Sequence, residues 1–187
     1  MNQSRTVNNS WSRIESWLKE NAPSYAQNLG KRAVESDLAT LAKKFGVTFP
    51  QSFVDSCMIH AGDKNECDFI PDGFGTFFLL TLKNISSEWK MLNEVKSYGD
   101  FDDCVAEPQD GIANEWWSDG WIPFASNGGG DLLCFDTKPG EGGQMWQIVK
   151  FIHDEPERQL VASSFEEWLT LVADAIDAGE LSDLIEP

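Results

Sequence analysis

Trp121-Ile-Pro-Phe-Ala-Ser-Asn-Gly-Gly-Gly-Asp-Leu-Leu-Cys-Phe-Asp-Thr-Lys-Pro139 is the stretch from which the fold can be read. Trp121–Ala125 predicts a strand, Asn127 to Gly130 a tight turn, and Asp131–Asp136 a second strand. Pro139 and Gly140 mark the exit. Glycine is the default residue where a turn needs positive φ, so the run reads as a hairpin. A phosphate cradle would need the glycines to open a helix, with a lysine close by. Here an aspartate and a strand follow instead. The Gly-Gly-Gly-Asp run also occurs only once, whereas calcium-binding β-rolls need many copies.

Working outward, Gln147–His153 and Arg158–Ala162 predict two more strands, separated by Lys-Pro-Gly-Glu-Gly-Gly and Asp-Glu-Pro-Glu turns. Such close succession favours antiparallel pairing, because parallel pairs need long crossovers. Upstream, Gly75 to Leu82 reads as a buried strand and Ser86 to Lys96 as a helix with Trp89, Leu92 and Val95 inward. Leu38, Leu41, Ala42 and Phe45 form a helical stripe from about Ser36, stopped by Gly46. Another helix is predicted to start at Pro50 and end at Gly62, with Phe53, Val54, Cys57, Met58 and Ala61 on one face. Trp11, Ile14, Trp17 and Leu18 recur at helical spacing after Ser10, a candidate N-cap. Residues 1–9 are then expected to be a flexible tail, and residues 10–187 one domain. The closing helix is predicted from a capping box, Ser164 with Glu167, followed by Phe165, Trp168, Leu169, Val172 and Ile176 and stopped by Gly179. Helices first, strands next and a closing helix define an α+β single domain with a mixed, mostly antiparallel sheet.

The net charge of -17 disfavours nucleic acid and anionic lipid and favours a basic protein partner. Solubility alone is the plainer reading of that charge. Cys57, Cys67, Cys104 and Cys134 show no paired spacing, and His60 and His153 lie far apart, so no metal site is expected. Scattered cysteines and a polar N-terminus without an apolar segment point to the cytoplasm, with no leader and no membrane span. Cys57 and His60, one helical turn apart, invite a nucleophile–base reading, but no orienting third group is evident. Asp131 and Asp136 invite a paired-carboxylate reading, but they sit at opposite ends of one strand and on opposite faces. No catalytic residue and no cofactor is therefore expected.

The interval between Lys96 and Lys138 contains no lysine or arginine. It carries Asp100, Asp102, Asp103, Glu107, Asp110, Glu115 and Asp119 before the hairpin aspartates, and the adjacent Trp116 and Trp117. Its weak periodicity makes residues 97–120 a long loop, a common carrier of function. Aromatics among acids resemble an interface anchor with a charged rim. The competing reading makes one tryptophan core and the acids merely solvated. Adjacent tryptophans cannot both point inward on a strand, so one is expected outward. A second acidic set, Glu166, Glu167, Asp174, Asp177, Glu180, Asp183 and Glu186, marks the solvent face of the last helix.

Several segments together resemble the SUKH superfamily, which holds the yeast cell-wall glucan-synthesis regulator and many bacterial toxin-immunity proteins. They are Leu38 to Gly46 leading into Phe49-Pro50-Gln51-Ser52-Phe53 and Ala61-Gly62, then the central hairpin, then Ser164-Phe165-Glu166-Glu167-Trp168-Leu169. In the hairpin the resemblance rests on Trp121, Pro123, Gly129, Gly130, Asp131, Asp136 and Pro139. Phe49 stands where leucine is usual, and the 97–120 insert is long. The resemblance implies a mixed sheet wrapped by helices, no catalytic residues and a protein partner. The expectation is an immunity protein that neutralises a basic, nuclease-type toxin domain. The alternative is a regulatory scaffold that binds an endogenous protein, as in the fungal relatives.

Overall fold

In the computed structural model, which describes residues 3–64, 67–72 and 75–182, the first three by backbone alone, helices gather mainly at the two ends of the chain. The order is α1 (Gln3–Asn21), α2 (Pro23–Asn28), α3 (Glu35–Phe45), α4 (Gln51–Cys57), β1 (Ile70–Pro71), β2 (Thr76–Leu79), α5 (Leu82–Ser97) and β3 (Glu107–Pro108). Then come β4 (Trp121–Ser126), β5 (Leu132–Asp136), β6 (Gln147–Phe151), β7 (Glu157–Ala162) and α6 (Phe165–Asp177). The strands form one sheet in the order β1-β2-β4-β5-β6-β7-β3. All pairs are antiparallel except β3 with β7. The fold is a mixed α+β domain, as the order of elements in the sequence implied.

Every residue of β4, β5 and β6 is buried, so both faces of the central sheet are covered. Side chains alternate along the pleat, and the two faces build two cores. Leu133, Phe135 and Ile148 face the helices, and Leu132, Cys134 and Val149 face the other way. On the helix face the rings of Phe53, Phe124 and Trp168 lie within about 5 Å of a ring partner: Phe53–Phe135 5.0 Å, Phe124–Phe135 4.7 Å and Phe124–Trp168 4.8 Å. α1 and α6 close this face and are tied by Arg13, which donates from Nε to Asp177 at 2.7 Å and from Nη2 to Asp174 at 2.6 Å. The opposite face is covered by α5 and by residues 98–120.

Pro123 cannot donate to a ladder, and β4 bulges there: the β4–β5 register shifts between Pro123 and Ala125. β2 reaches only Ala125 and Ser126 on that side, so no β2 partner waits for a donor at Pro123. Both outermost strands are two residues long and end in proline, Pro71 and Pro108, which blunts the sheet edges against strand addition.

Local signals set most boundaries. Gly46 ends α3 at φ 66, Thr81 Oγ1 accepts from Asn84 N–H at the start of α5, and Ser164 Oγ accepts from Glu167 N–H at the start of α6. The reciprocal bond of the expected capping box is shifted by one residue. The Glu167 carboxylate accepts from Ser163 N–H, not from Ser164, and the Ser163 bonds hold its pKa down. Helix α1 begins at Gln3, so Ser10 is no N-cap but a buried residue inside the helix, and residues 3–9 are helical where a tail was expected. Met1 and Asn2 of that tail, and Asp183 and Glu186 of the acidic set, lie outside the described residues. The helix expected to run to Gly62 stops at Cys57, with Pro50 as its N-cap.

Candidate functional site

The acidic interval leaves α5 and lies across the second core. β3 fixes its midpoint: Glu107 N–H donates to Pro156 O at 2.7 Å and Gln109 N–H to Arg158 O at 2.9 Å. Leu160 N–H returns a bond to Gln109 Oε1 at 2.8 Å. Further on, a Cβ on Gly143 would fall 2.0 Å from Gly111 O, so only glycine allows the 111 and 143 backbones to meet this closely.

Arg158 is the hub of this face. Its side chain is fully buried and stacks 4.6 Å from the ring centroids of both Trp116 and Phe151. Nε and Nη2 donate to Trp116 O at 3.0 and 2.8 Å, and Nη1 donates to Ile152 O, Glu155 O and Glu157 O at 3.1, 2.7 and 2.7 Å. Burial draws its pKa down to about 10, which still leaves the guanidinium charged at neutral pH. A buried cation satisfied by carbonyls holds the loop over the second core.

Trp117 is 1% exposed and packs edge-on to Trp121 at 5.8 Å and Phe151 at 5.2 Å. Trp116 is half-buried over Arg158 and also packs on the second core. Both tryptophans therefore turn inward, against the expectation that one would face solvent. They lie in a turn, where the strand rule of opposite faces does not apply. Trp117 is thus part of the core and closed to a partner in this conformation.

The acids divide into two groups. Glu115 accepts from Lys96 Nζ at 2.6 Å, and Asp119 from Lys138 Nζ at 2.8 Å, so the lysines bounding the interval neutralise its last two loop acids. The Lys138 bond holds the Asp119 carboxyl below its usual range. Asp100, Asp102, Asp103, Glu107 and Asp110 are exposed, and none has an ion-pair partner among the described residues. These five form the open acidic rim.

The hairpin residues act as a scaffold. Gly128 and Gly130 take positive φ, 73 and 115, but Gly129 does not. Asn127 Oδ1 accepts from Gly129 N–H at 2.8 Å and Asp131 N–H at 3.0 Å. Asp131 accepts from His153 N–H at 3.0 Å and from Asn127 Nδ2 at 2.8 Å. Asp136 is fully buried and accepts from Lys138 N–H at 3.0 Å and Gln147 Nε2 at 2.9 Å. Burial pushes its pKa up, and these bonds pull it back. The two aspartates thus serve separate turn networks. Trp121 is buried, and Pro139 packs against Gly143.

Cys57 is buried, and its thiol is pushed up to about 12. His60 directs Nδ1 to Gly30 O at 2.7 Å and Nε2 to Glu15 Oε1 at 2.9 Å, away from any thiol. Asp131, His153 and Asp154 could offer three metal-ligand atoms within 4.8 Å of one another. The Asp131 oxygens are already engaged in holding the turn, however.

Sequence reasoning missed the role of Arg158. A signal existed: Lys150 and Arg158 are the only lysine and arginine after Lys138, and both sit within strands of a strongly acidic chain. Both prove buried, with Lys150 paired to Asp72.

The chain is thus an α+β domain with a doubly covered sheet, a central hairpin closed by a glycine turn and an acidic loop over its second face. A family model described as the SMI1 / KNR4 family (SUKH-1) matches residues 32–171, and the chain belongs to that family. It is 29% identical to the "Cell wall biosynthesis/cell cycle regulator smi1" of Schizosaccharomyces pombe, over 93% of this chain and 37% of that protein. It is 25% identical to the "Glucan synthesis regulatory protein" of Neurospora crassa, over 92% of this chain and 39% of that protein. It is 22% identical to the "Cell wall assembly regulator SMI1" of Saccharomyces cerevisiae, over 90% and 40%. The chain thus spans about two-fifths of the length of these relatives.

Proposed function

We propose that this chain is a non-catalytic regulatory domain of the cell-wall glucan-synthesis type, and that it works by binding another protein. The observation that carries this is the match across nine-tenths of the chain to proteins named as regulators. Those names favour the regulator reading over toxin neutralisation. The exposed acids Asp100, Asp102, Asp103, Glu107 and Asp110 suit a basic partner. The proline-blunted sheet edges favour recognition by side chains over strand addition. No helix among the described residues is long and apolar enough to cross a membrane. The four free cysteines accord with action in the cytoplasm.

The test is a segment exchange. The matching region of the Schizosaccharomyces pombe regulator is replaced by this chain, and growth is scored under cell-wall stress. Growth equal to that of the unmodified regulator is expected. Growth no better than with the region deleted overturns the reading.

A further inference from the structure

A cavity of about 410 Å³ opens on the α5 side of the sheet, between α5 and the β4–β5 turn. Phe78, Leu80, Leu92 and Leu132 form an apolar floor, and Met91, 45% exposed, forms the lip. Leu92 and Leu132 also belong to the second core, so the groove continues the face covered by the acidic loop. An exposed methionine at such a lip can adapt to several side-chain shapes.

The opposite wall is the hairpin turn. A Cβ on Gly130 would fall 2.7 Å from His153 Cγ, so the turn and the imidazole touch only because residue 130 is glycine. Asp131 fixes His153 from the other side, with its Oδ1 3.0 Å from both the backbone nitrogen and Nδ1. The wall is therefore set before any ligand arrives, which lowers the ordering cost of binding.

Charge decides the kind of occupant. The lining holds Glu88 but no lysine or arginine, and Asp154 stands 3.6 Å beyond His153 Nδ1. The cavity between α3 and α5 is lined instead by Lys44 and Lys83 together with Asp37. An apolar floor with Glu88 in its lining, Asp154 beside it and no lysine or arginine, on a chain of net charge -17, suits a cationic segment carrying an apolar side chain.

We propose that this groove grips an extended basic segment of a partner protein. One aliphatic or aromatic side chain seats on Met91 and the floor, and flanking lysine or arginine side chains meet Glu88 and Asp154. This deepens the protein-binding regulator reading and rests on it.

The probe is a labelled, blocked short peptide of alternating lysine and leucine, titrated against the full chain by fluorescence anisotropy. Lysine–serine and glutamate–leucine peptides are the controls. The lysine–leucine peptide is expected to bind and both controls to fail. Met91→Lys, at an exposed position, should weaken binding about tenfold or more with unchanged melting. Glu88→Gln with Asp154→Asn should weaken it several-fold. Equal binding of the lysine–serine peptide, or unchanged affinity of Met91→Lys, overturns the proposal. So does a dimer of the chain that Met91→Lys dissolves, or peptide binding lost on adding a chelator. In the segment exchange, a Met91→Lys chain that supports growth fully overturns the groove and leaves the regulator reading intact. An unmodified chain that fails there overturns the regulator reading, whatever the peptide does.

Discussion

One sheet carries two differently built covers. On the helix face, regular elements bring Trp11, Ile14, Leu18, Phe165, Trp168 and Ile176 to Phe124 and Phe135 by repeating spacing. On the loop face, a segment with a single two-residue strand brings Ile112, Trp116 and Trp117 to Trp121 and Phe151. The first cover is held mainly by buried area. The second relies on fixed polar bonds, above all the five that Arg158 donates to carbonyl oxygens. The difference teaches that an aperiodic segment can close a core when one buried cation ties a carbonyl of that segment, Trp116 O, to the carbonyls of the β6–β7 connection.

The sharpest way to break this comparison is to empty each cover in turn. Phe135→Ala removes the ring at the centre of the helix face, in contact with Phe53, Phe124 and Phe165. It should cost about 3–5 kcal/mol in chemical denaturation, with the whole domain melting together. Arg158→Met keeps much of the apolar stem but orphans the carbonyls of Trp116, Ile152, Glu155 and Glu157. It should cost roughly 2–3 kcal/mol, with amide exchange rising first in residues 100–119. If both variants opened the same amides in the same order, the two covers would be one cooperative unit and the distinction would fail.

The same contrast explains what could be read from the sequence. Period-3.6 stripes and caps exposed α3, α5 and α6, and the turn glycines exposed the hairpin between β4 and β5. The helix before Ser10 was hidden because Asn2 to Asn9 is polar, yet Val7 is buried and extends the stripe of α1. The second core was hidden because Trp116, Trp117 and Ile112 follow no period. Their packing depends on Arg158, some 42 residues away in sequence from Trp116. The groove beside Met91 was equally hidden. Its walls come from β2, β4, β5 and α5, and only the fold brings them together.

Next in size is the hairpin. Gly130 has φ 115, and a side chain there meets His153, whereas Gly129 has ordinary φ and only Asn127 nearby. Gly130→Val should therefore destabilise by about 2 kcal/mol or more, and Gly129→Val by much less. Thermal melts of the two variants test this. Equal losses would mean that the strain is spread over the whole turn and not placed at residue 130.

The smallest effect on stability, and the one that speaks most directly to function, concerns the open acids. Asp100, Asp102 and Asp103 are exposed and unpaired among the described residues, whereas Glu115 and Asp119 are held by lysines. Neutralising the first three to asparagine should change stability by about 0.5 kcal/mol or less. It should slow association with a basic probe and flatten the salt dependence of that rate, because rim charge acts mainly on encounter. Dissociation should stay near its original rate, since the gripping contacts are assigned to the groove. Glu115→Gln should instead cost stability and leave association near the parent rate. It releases Lys96 from its carboxylate and loosens the turn at Trp117, whose carbonyl the same ammonium binds at 2.9 Å, without altering the open rim. Stopped-flow association at two ionic strengths separates the pair. If the triple variant associated as fast as the parent while Glu115→Gln slowed the encounter, the steering charge would lie in the paired acids, and the division of this loop into scaffold and rim would be wrong.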